Sequence, residues 1–287
     1  MTTPLAVVVL AHDRPQHLHR LVDALHPFPI FLHVDASVPD ARHAELVSDL
    51  PERVRLLPRV RTEWAGVGLV VAELLGYRAA LEETDASHIA VLSGSDYPLH
   101  DADGLTARLA HAGDRSLVAF HDLPYDRWGP MRGYDRFVFV NRPWRRHRLF
   151  LPLPRPWPRG IHPAGGSALK VLSRTHAERV VTVVAERPDI RRYFTGVWIP
   201  DETLVPSVLT SPEFSPYWDE EVADVPQPWF IDWSQAPTQS PEWLIDDHFD
   251  AIARAARRPD GPLFARKFGD GSDALLDRID VELRGRR

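Results

Sequence analysis

An α/β fold, with a twisted, mostly parallel sheet flanked by helices, is the architecture this 287-residue sequence predicts. Three observations point to it. Short apolar runs alternate with segments of helical period through the first half, the pattern of βαβ units. Three of those runs end in polar residues, Ala11-His12-Asp13, His33-Val34-Asp35 and Ser93 to Asp96, and open α/β sheets bind ligands at the carboxyl ends of their strands. The bulk composition, 44% hydrophobic and 26% charged, is ordinary for a globular chain and sufficient for a full core.

Leu5–Ala11 reads as a buried strand, and residues 14–25 as a helix with Leu18, Leu21, Val22 and Leu25 on one face. A second strand spans 29–34, a helix 41–50, and a third strand 53–57. Residues 67–83 make a long helix through Val71, Leu74, Leu75 and Ala79. A fourth strand over 88–92 ends in a polar turn, Ser93 to Pro98, in which Asp96 is placed to cap the helix starting near Asp101. Residues 117–120 read as a fifth strand. Residues 141–163 hold six prolines and six arginines; proline at that density predicts a long loop. Beyond it come a segment over 165–173, a helix over 175–187 and a Trp- and Pro-rich stretch over 225–243.

Several function classes lose support. The net charge of −6 argues against a nucleic-acid binder, which carries a basic face. With no cysteine there is neither a disulfide nor a thiolate metal site, which fits a reducing cytosol. The first apolar run is too short for a signal peptide or a membrane span, so a cytoplasmic protein is expected. No glycine-rich dinucleotide fingerprint or phosphate-binding Gly-Lys-Ser/Thr loop follows the first strand.

Beside the Ser93 to Pro98 turn, the candidate chemistry sits in three places. Asp35 at a strand end suits a base imide, a ribose hydroxyl or a metal, and equally a turn or a helix cap. His33 occupies the first carboxylate position of an Asp-x-Asp pair, which leaves a metal without a second anionic ligand. Asp201 and Glu202 open a helical run; two acids there complement a helix dipole, or Glu202 is a general base. Arg266 and Lys267 lie between apolar residues. Strand alternation points them to opposite sides, as one solvated charge and one contact, or both neutralise a diphosphate.

Read in order, Ala11-His12, His33-Val34-Asp35, Glu63-Trp64-Ala65-Gly66, Leu92 to Leu99, Gly166-Ser167, Pro200-Asp201-Glu202, Ile231-Asp232-Trp233 and Phe264 to Phe268 resemble the core-2/I-branching glycosyltransferases. That family includes β-1,6-N-acetylglucosaminyltransferases and peptide O-xylosyltransferases. The resemblance implies a GT-A-like fold and inverting transfer from a UDP-sugar to a saccharide or small-molecule hydroxyl, with no metal and no cofactor. GlcNAc leads as the sugar, with xylose and glucuronic acid as alternatives, and a non-catalytic carbohydrate-binding protein as a competing class. It further implies donor contacts from Ala11, His33, Asp35, Trp64, Arg266 and Lys267, and Glu202 as the base. Acceptor or sugar contacts fall to Ser95, Asp96, Gly166, Ser167, Asp201 and Trp233. One catalytic domain over 1–287 is expected: a nucleotide-sugar-binding half over 1–125, the variable loop, and an acceptor and catalytic half over 164–287.

The chain departs from the pattern in three places, one of them Ala65, which replaces a common glycine. Ala168, Leu169 and Lys170 follow Gly166-Ser167 where many relatives have Gln or Asp and then Trp. Trp229 stands where a basic residue often precedes Ile-Asp-Trp. The lack of cysteine and of an anchor, against Golgi relatives, implies a bacterial member.

Overall fold

The structure, a computed structural model, describes residues 3–144, 147–151, 153, 155–222, 227–234 and 240–285, with backbone alone at 142–144, 147 and 148. Residues 225, 226 and 235–239 of the Trp- and Pro-rich stretch over 225–243, and 145, 146, 152 and 154 of the expected loop over 141–163, lie outside that set.

The strands are β1 (Leu5–Ala11), β2 (Ile30–Val34), β3 (Val54–Leu56), β4 (His88–Ser93), β5 (Asp96–Pro98), β6 (Phe120–Asp122), β7 (Val140–Trp144), β8 (His147–Leu151), β9 (Ala164–Gly166), β10 (Lys170–Ser173), β11 (Trp229–Ile231) and β12 (Phe264–Arg266). The main sheet has the order β10-β4-β1-β2-β3. Its pairs β1/β2, β1/β4 and β2/β3 are parallel, and β10 runs antiparallel on the edge.

Both faces of this sheet are covered, which is why β1, β2 and β4 read as continuous apolar runs rather than alternating ones. Leu5, Val7, Val9, Ile30, Leu32, Ala90 and Leu92 face a layer containing α1 (Pro15–Ala24), α4 (Ala102–Ala112), α10 (Phe249–Ala256) and α11 (Asp273–Arg278). Ala6, Val8, Phe31, Ile89 and Val91 face α3 (Val67–Glu83), α6 (Arg174–Glu186), α7 (Pro188–Phe194) and α8 (Leu204–Leu209). Helix α3 lies so close to β1 that a Cβ on Gly76 would come within 2.3 Å of the Val8 side chain. Only glycine admits that approach.

Three expectations need correction. Ser93 to Pro98 is not a plain turn: Asp96–Pro98 is a strand, paired antiparallel with β12 in a second sheet of order β11-β12-β5. The cap of α4 is Asp101, whose carboxylate accepts from Gly104 N at 2.8 Å, while Asp96 is wholly buried. The fifth strand falls at Phe120–Asp122, paired with β9, and Leu117 makes only a single bridge to Val171. Finally, residues 141–163 are not all loop, because β7 and β8 form an antiparallel ribbon with Pro143 opposite Arg148. Both strands of such a ribbon are edges, where a residue without an N–H is tolerated.

Candidate active site

Two groups of polar side chains form at the carboxyl edge of the main sheet. The first is built on the ends of β1, β2 and β4. Asp35 follows β2, and its backbone N–H donates to Ala11 O at 3.0 Å. Its carboxylate accepts from Ser37 N at 2.5 Å, from Thr62 N at 2.8 Å and from the Thr62 hydroxyl. Burial works to raise its pKa, but these hydrogen bonds to the charged form prevail and hold it below the usual carboxylate range. His33 is buried, and its Nε2 accepts from Val60 N at 2.9 Å; burial pushes its pKa down. His33 and Asp35 thus fasten the segment over residues 60–62 across the end of β2. Trp64, just beyond, is 55% exposed.

Strand β4 ends at Ser93. Asp96 accepts from Ser93 N at 2.8 Å and Ser93 Oγ at 2.9 Å, and the turn brings Ser95 O to Phe268 N at 2.8 Å. The β5/β12 register sets Arg266 directly opposite Asp96. Its Nη1 lies 2.9 Å from Asp96 Oδ1 and also bonds Ser93 Oγ. Lys267 turns elsewhere: its Nζ donates to Ser240 Oγ at 2.6 Å and stands 4.0 Å from the centre of the Trp243 ring. Partial burial, then the charges of Arg266 and Arg14, lower the Lys267 pKa against the pull of Glu242.

The second group is built on Pro200–Glu202, a short 3₁₀ turn that packs on α3. Glu202 Oε2 lies 2.5 Å from Arg136 Nη1, and the Arg136 guanidinium is 3.4 Å from the Trp128 ring centre. Asp201 has a buried Oδ1 with no hydrogen-bond partner among the described residues. Burial, reinforced by the neighbouring Glu202 charge, raises its pKa to about 7. Beneath the turn, Lys170 and Glu73 form an ion pair at 2.8 Å with 0% and 2% of their side chains exposed, and Tyr77 donates to the same Glu73 oxygen.

Gly166 and Ser167 join this group. Ser207 of α8, five residues past Glu202, bonds both Ala164 N and Ala164 O. A Cβ on Gly166 would strike Phe120 and Ala119 O, so that glycine serves the β6/β9 contact. Ser167 Oγ accepts from Leu169 N at 3.1 Å. The antiparallel register pairs Lys170 with Val91, so residues preceding Lys170 run past the carboxyl end of β4. Both groups therefore share one edge. Asp35 and Ser93 are separated there by β1 alone, about 10 Å at ordinary strand spacing.

Trp229 is not a cation's substitute: it is 2% exposed and stacked on Phe264 with ring centres 4.9 Å apart. It lines a cavity of about 470 Å³ with Tyr125, Arg127 and Trp233, and Trp233 is half exposed. Sequence reasoning missed Arg14, Thr62, Glu73, Arg136 and Trp243. None lies in a recognisable spacing, and each enters the site only through a contact between distant segments. Among the described residues, no three His, Asp or Glu side chains gather in a metal-binding arrangement.

Polar groups gathered at the carboxyl edge of a parallel sheet are the arrangement in which open α/β proteins bind their ligands. The chain belongs to the Core-2/I-branching enzyme family, a family of glycosyltransferases, whose model matches residues 9–252. It is 29% identical over 226 residues to xylosyltransferase 1 of Homo sapiens and of Pan troglodytes, covering 76% of this chain and 23% of each relative. Against xylosyltransferase 1 of Rattus norvegicus the identity is 28% over 227 residues, covering 76% and 27%. The chain thus spans about a quarter of the length of these relatives.

Among solved structures, HddC from Yersinia pseudotuberculosis overlaps with a TM-score of 0.30 at 14% identity, covering 60% of this chain and 79% of that one. A cytidylyltransferase from Leptospira borgpetersenii overlaps with a TM-score of 0.30 at 12% identity, covering 63% and 65%. No helix among the described residues is long and apolar enough to cross a membrane.

Proposed function

We propose that this chain transfers a sugar from a UDP-sugar to a hydroxyl of a saccharide or small-molecule acceptor, with inversion and with side-chain cations in place of a metal. The observation that carries the reading is the pair Arg266 and Lys267 at the same sheet edge as Glu202. An ionised carboxylate offers about four acceptor sites. Asp35 uses three internally, and the fourth takes the uracil imide or a ribose hydroxyl. Trp64 walls the donor side, and Arg266 and Lys267 take the diphosphate.

In the reaction, the acceptor oxygen forms a bond to the anomeric carbon as the bond from that carbon to the diphosphate breaks. The electron pair goes to the diphosphate oxygen, where fixed cations stabilise it. Glu202 accepts the acceptor's hydroxyl proton. One displacement converts an α-linked donor to a β-product. Trp233 and the cavity beside it offer aromatic surface to the acceptor.

We take UDP-xylose beside UDP-GlcNAc as the donors to try, because relatives of the chain are named xylosyltransferases. Donor hydrolysis by the purified chain, followed with and without EDTA for both sugars, tests the proposal. Turnover of a UDP-sugar unchanged by EDTA supports it. Turnover abolished by EDTA and restored by manganese contradicts the assignment of the diphosphate charge to side chains.

A further inference from the structure

Beyond Arg266 and Lys267, a third cation reaches the same place from a different strand. Arg14 follows β1 by three residues and holds a left-handed backbone, φ 59° and ψ 68°. Its guanidinium carbon stands 4.5 Å from the centre of the Trp243 ring, the ring that also carries Lys267 Nζ at 4.0 Å. Two cations thus share one indole. Trp243 is seated by a glycine: a Cβ on Gly269 would lie 2.7 Å from the indole, so any larger residue would push the ring out of place.

The anions nearby do not balance the cluster. Asp96 is wholly buried and taken by Arg266. Asp270 lies 3.6 Å from Arg14 Nε, but its side chain is almost fully exposed, and such pairs contribute little. Glu242 acts on Lys267. Arg14 Nε itself is buried and makes no hydrogen bond among the described residues. A strained backbone that holds one cation beside another, Lys267, is the kind of local cost found where a ligand is bound. Attraction to the ring offsets part of the mutual repulsion of Arg14 and Lys267.

We propose that Arg14 is a third diphosphate-binding cation, gripping the leaving group from the β1 side while Arg266 and Lys267 grip it from β12. This rests on the reading of the site as one for a UDP-sugar. Arg14 holds the charge that gathers on the diphosphate oxygen as the bond to the anomeric carbon breaks, and Trp243 sets the spacing between Arg14 and Lys267.

Calorimetric titration of the whole chain with UDP and with uridine tests the assignment. Arg14→Gln should weaken UDP binding by about 10- to 100-fold, the range for losing a hydrogen bond to a charged group. Uridine, which has no phosphate, should bind within about twofold of the unaltered chain, since nothing charged is lost. Arg14→Lys keeps the charge but not the planar fork, and should fall between the two for UDP. It provides the same comparison if the glutamine variant does not fold. Equal weakening of UDP and uridine would show Arg14 to be structural and overturn the proposal. UDP binding unchanged by Arg14→Gln overturns Arg14 alone; no UDP binding by the unaltered chain overturns both this proposal and the UDP-sugar reading.

Discussion

Arg136 Nη1 sits 2.5 Å from Glu202 Oε2, on a guanidinium that is itself stacked 3.4 Å from the Trp128 ring centre. One carboxylate oxygen is therefore committed to an ion pair, and in the proposed reaction the other takes the acceptor's proton. The indole fixes the arginine and the arginine fixes the carboxylate. Arg136 is thus a positioning residue in the proposed reaction. Arg136→Ala should lower kcat by roughly 10- to 100-fold, since small misplacements of a reacting group cost that much. Its UDP affinity should stay within about twofold of the unaltered chain. A parallel loss of UDP affinity in the titration would show that the substitution disturbs the whole edge instead.

The Lys170–Glu73 pair beneath the Pro200–Glu202 turn is almost completely shut away from water. Removing one partner leaves a buried charge uncompensated, which costs about 3–5 kcal/mol. Lys170→Met should lower the unfolding free energy by that order in a urea titration. Adding Glu73→Gln, which removes the stranded charge, should recover a good part of it. If the single variant is as stable as the parent, water reaches the pair.

Asp201 gives stability a pH dependence of definite sign. Its pKa rises from the ordinary 3.8 of an exposed aspartate to about 7 on folding, so between those values the folded chain binds more protons than the unfolded one. The contribution is fully present below about pH 4 and is lost as pH rises toward 7. Asp201→Asn removes that titration. Melting curves should show the variant gaining on the parent between pH 5 and pH 8. A constant difference across that range would mean that the carboxyl is ionised throughout.

Lys267 is expected to act on binding and chemistry together. Lys267→Ala should weaken UDP binding by about 10- to 100-fold, for loss of a charge-assisted contact. It should also slow turnover, because the leaving group becomes more anionic as the bond breaks. Manganese should not restore the activity. Unchanged UDP binding in the same titration would make Lys267 a surface charge paired with Ser240.

The main sheet was legible because its strands are apolar on both faces, and Leu5–Ala11 falls where its apolar run puts it. The polar strand ends were legible for the same reason, since Asp35 and Ser93 each interrupt an apolar run. The long helix over 67–83 has the bounds the sequence suggests but buries Val70, Gly76, Tyr77 and Ala80, while Val71 of the expected face is exposed. The Asp96–Pro98 strand was hidden because three residues carry no periodicity and its partner Phe264–Arg266 lies far along the chain. The β7/β8 ribbon was masked by proline, whose exclusion from sheets does not extend to edges. Arg14, Arg136 and Trp243 were invisible in a chain rich in arginine. Their significance comes from the aromatic faces they meet in three dimensions, and a sequence shows no such distances.

The central claim is that Glu202 takes the acceptor's proton, and Glu202→Gln tests it most directly. Glutamine keeps the shape and the hydrogen-bonding reach of the side chain but cannot accept the proton. With turnover and UDP binding measured side by side, kcat should fall by roughly 10²–10⁴-fold while UDP affinity stays within about twofold. A variant that keeps its turnover would reduce Glu202 to the ion-pair partner of Arg136 and contradict the account.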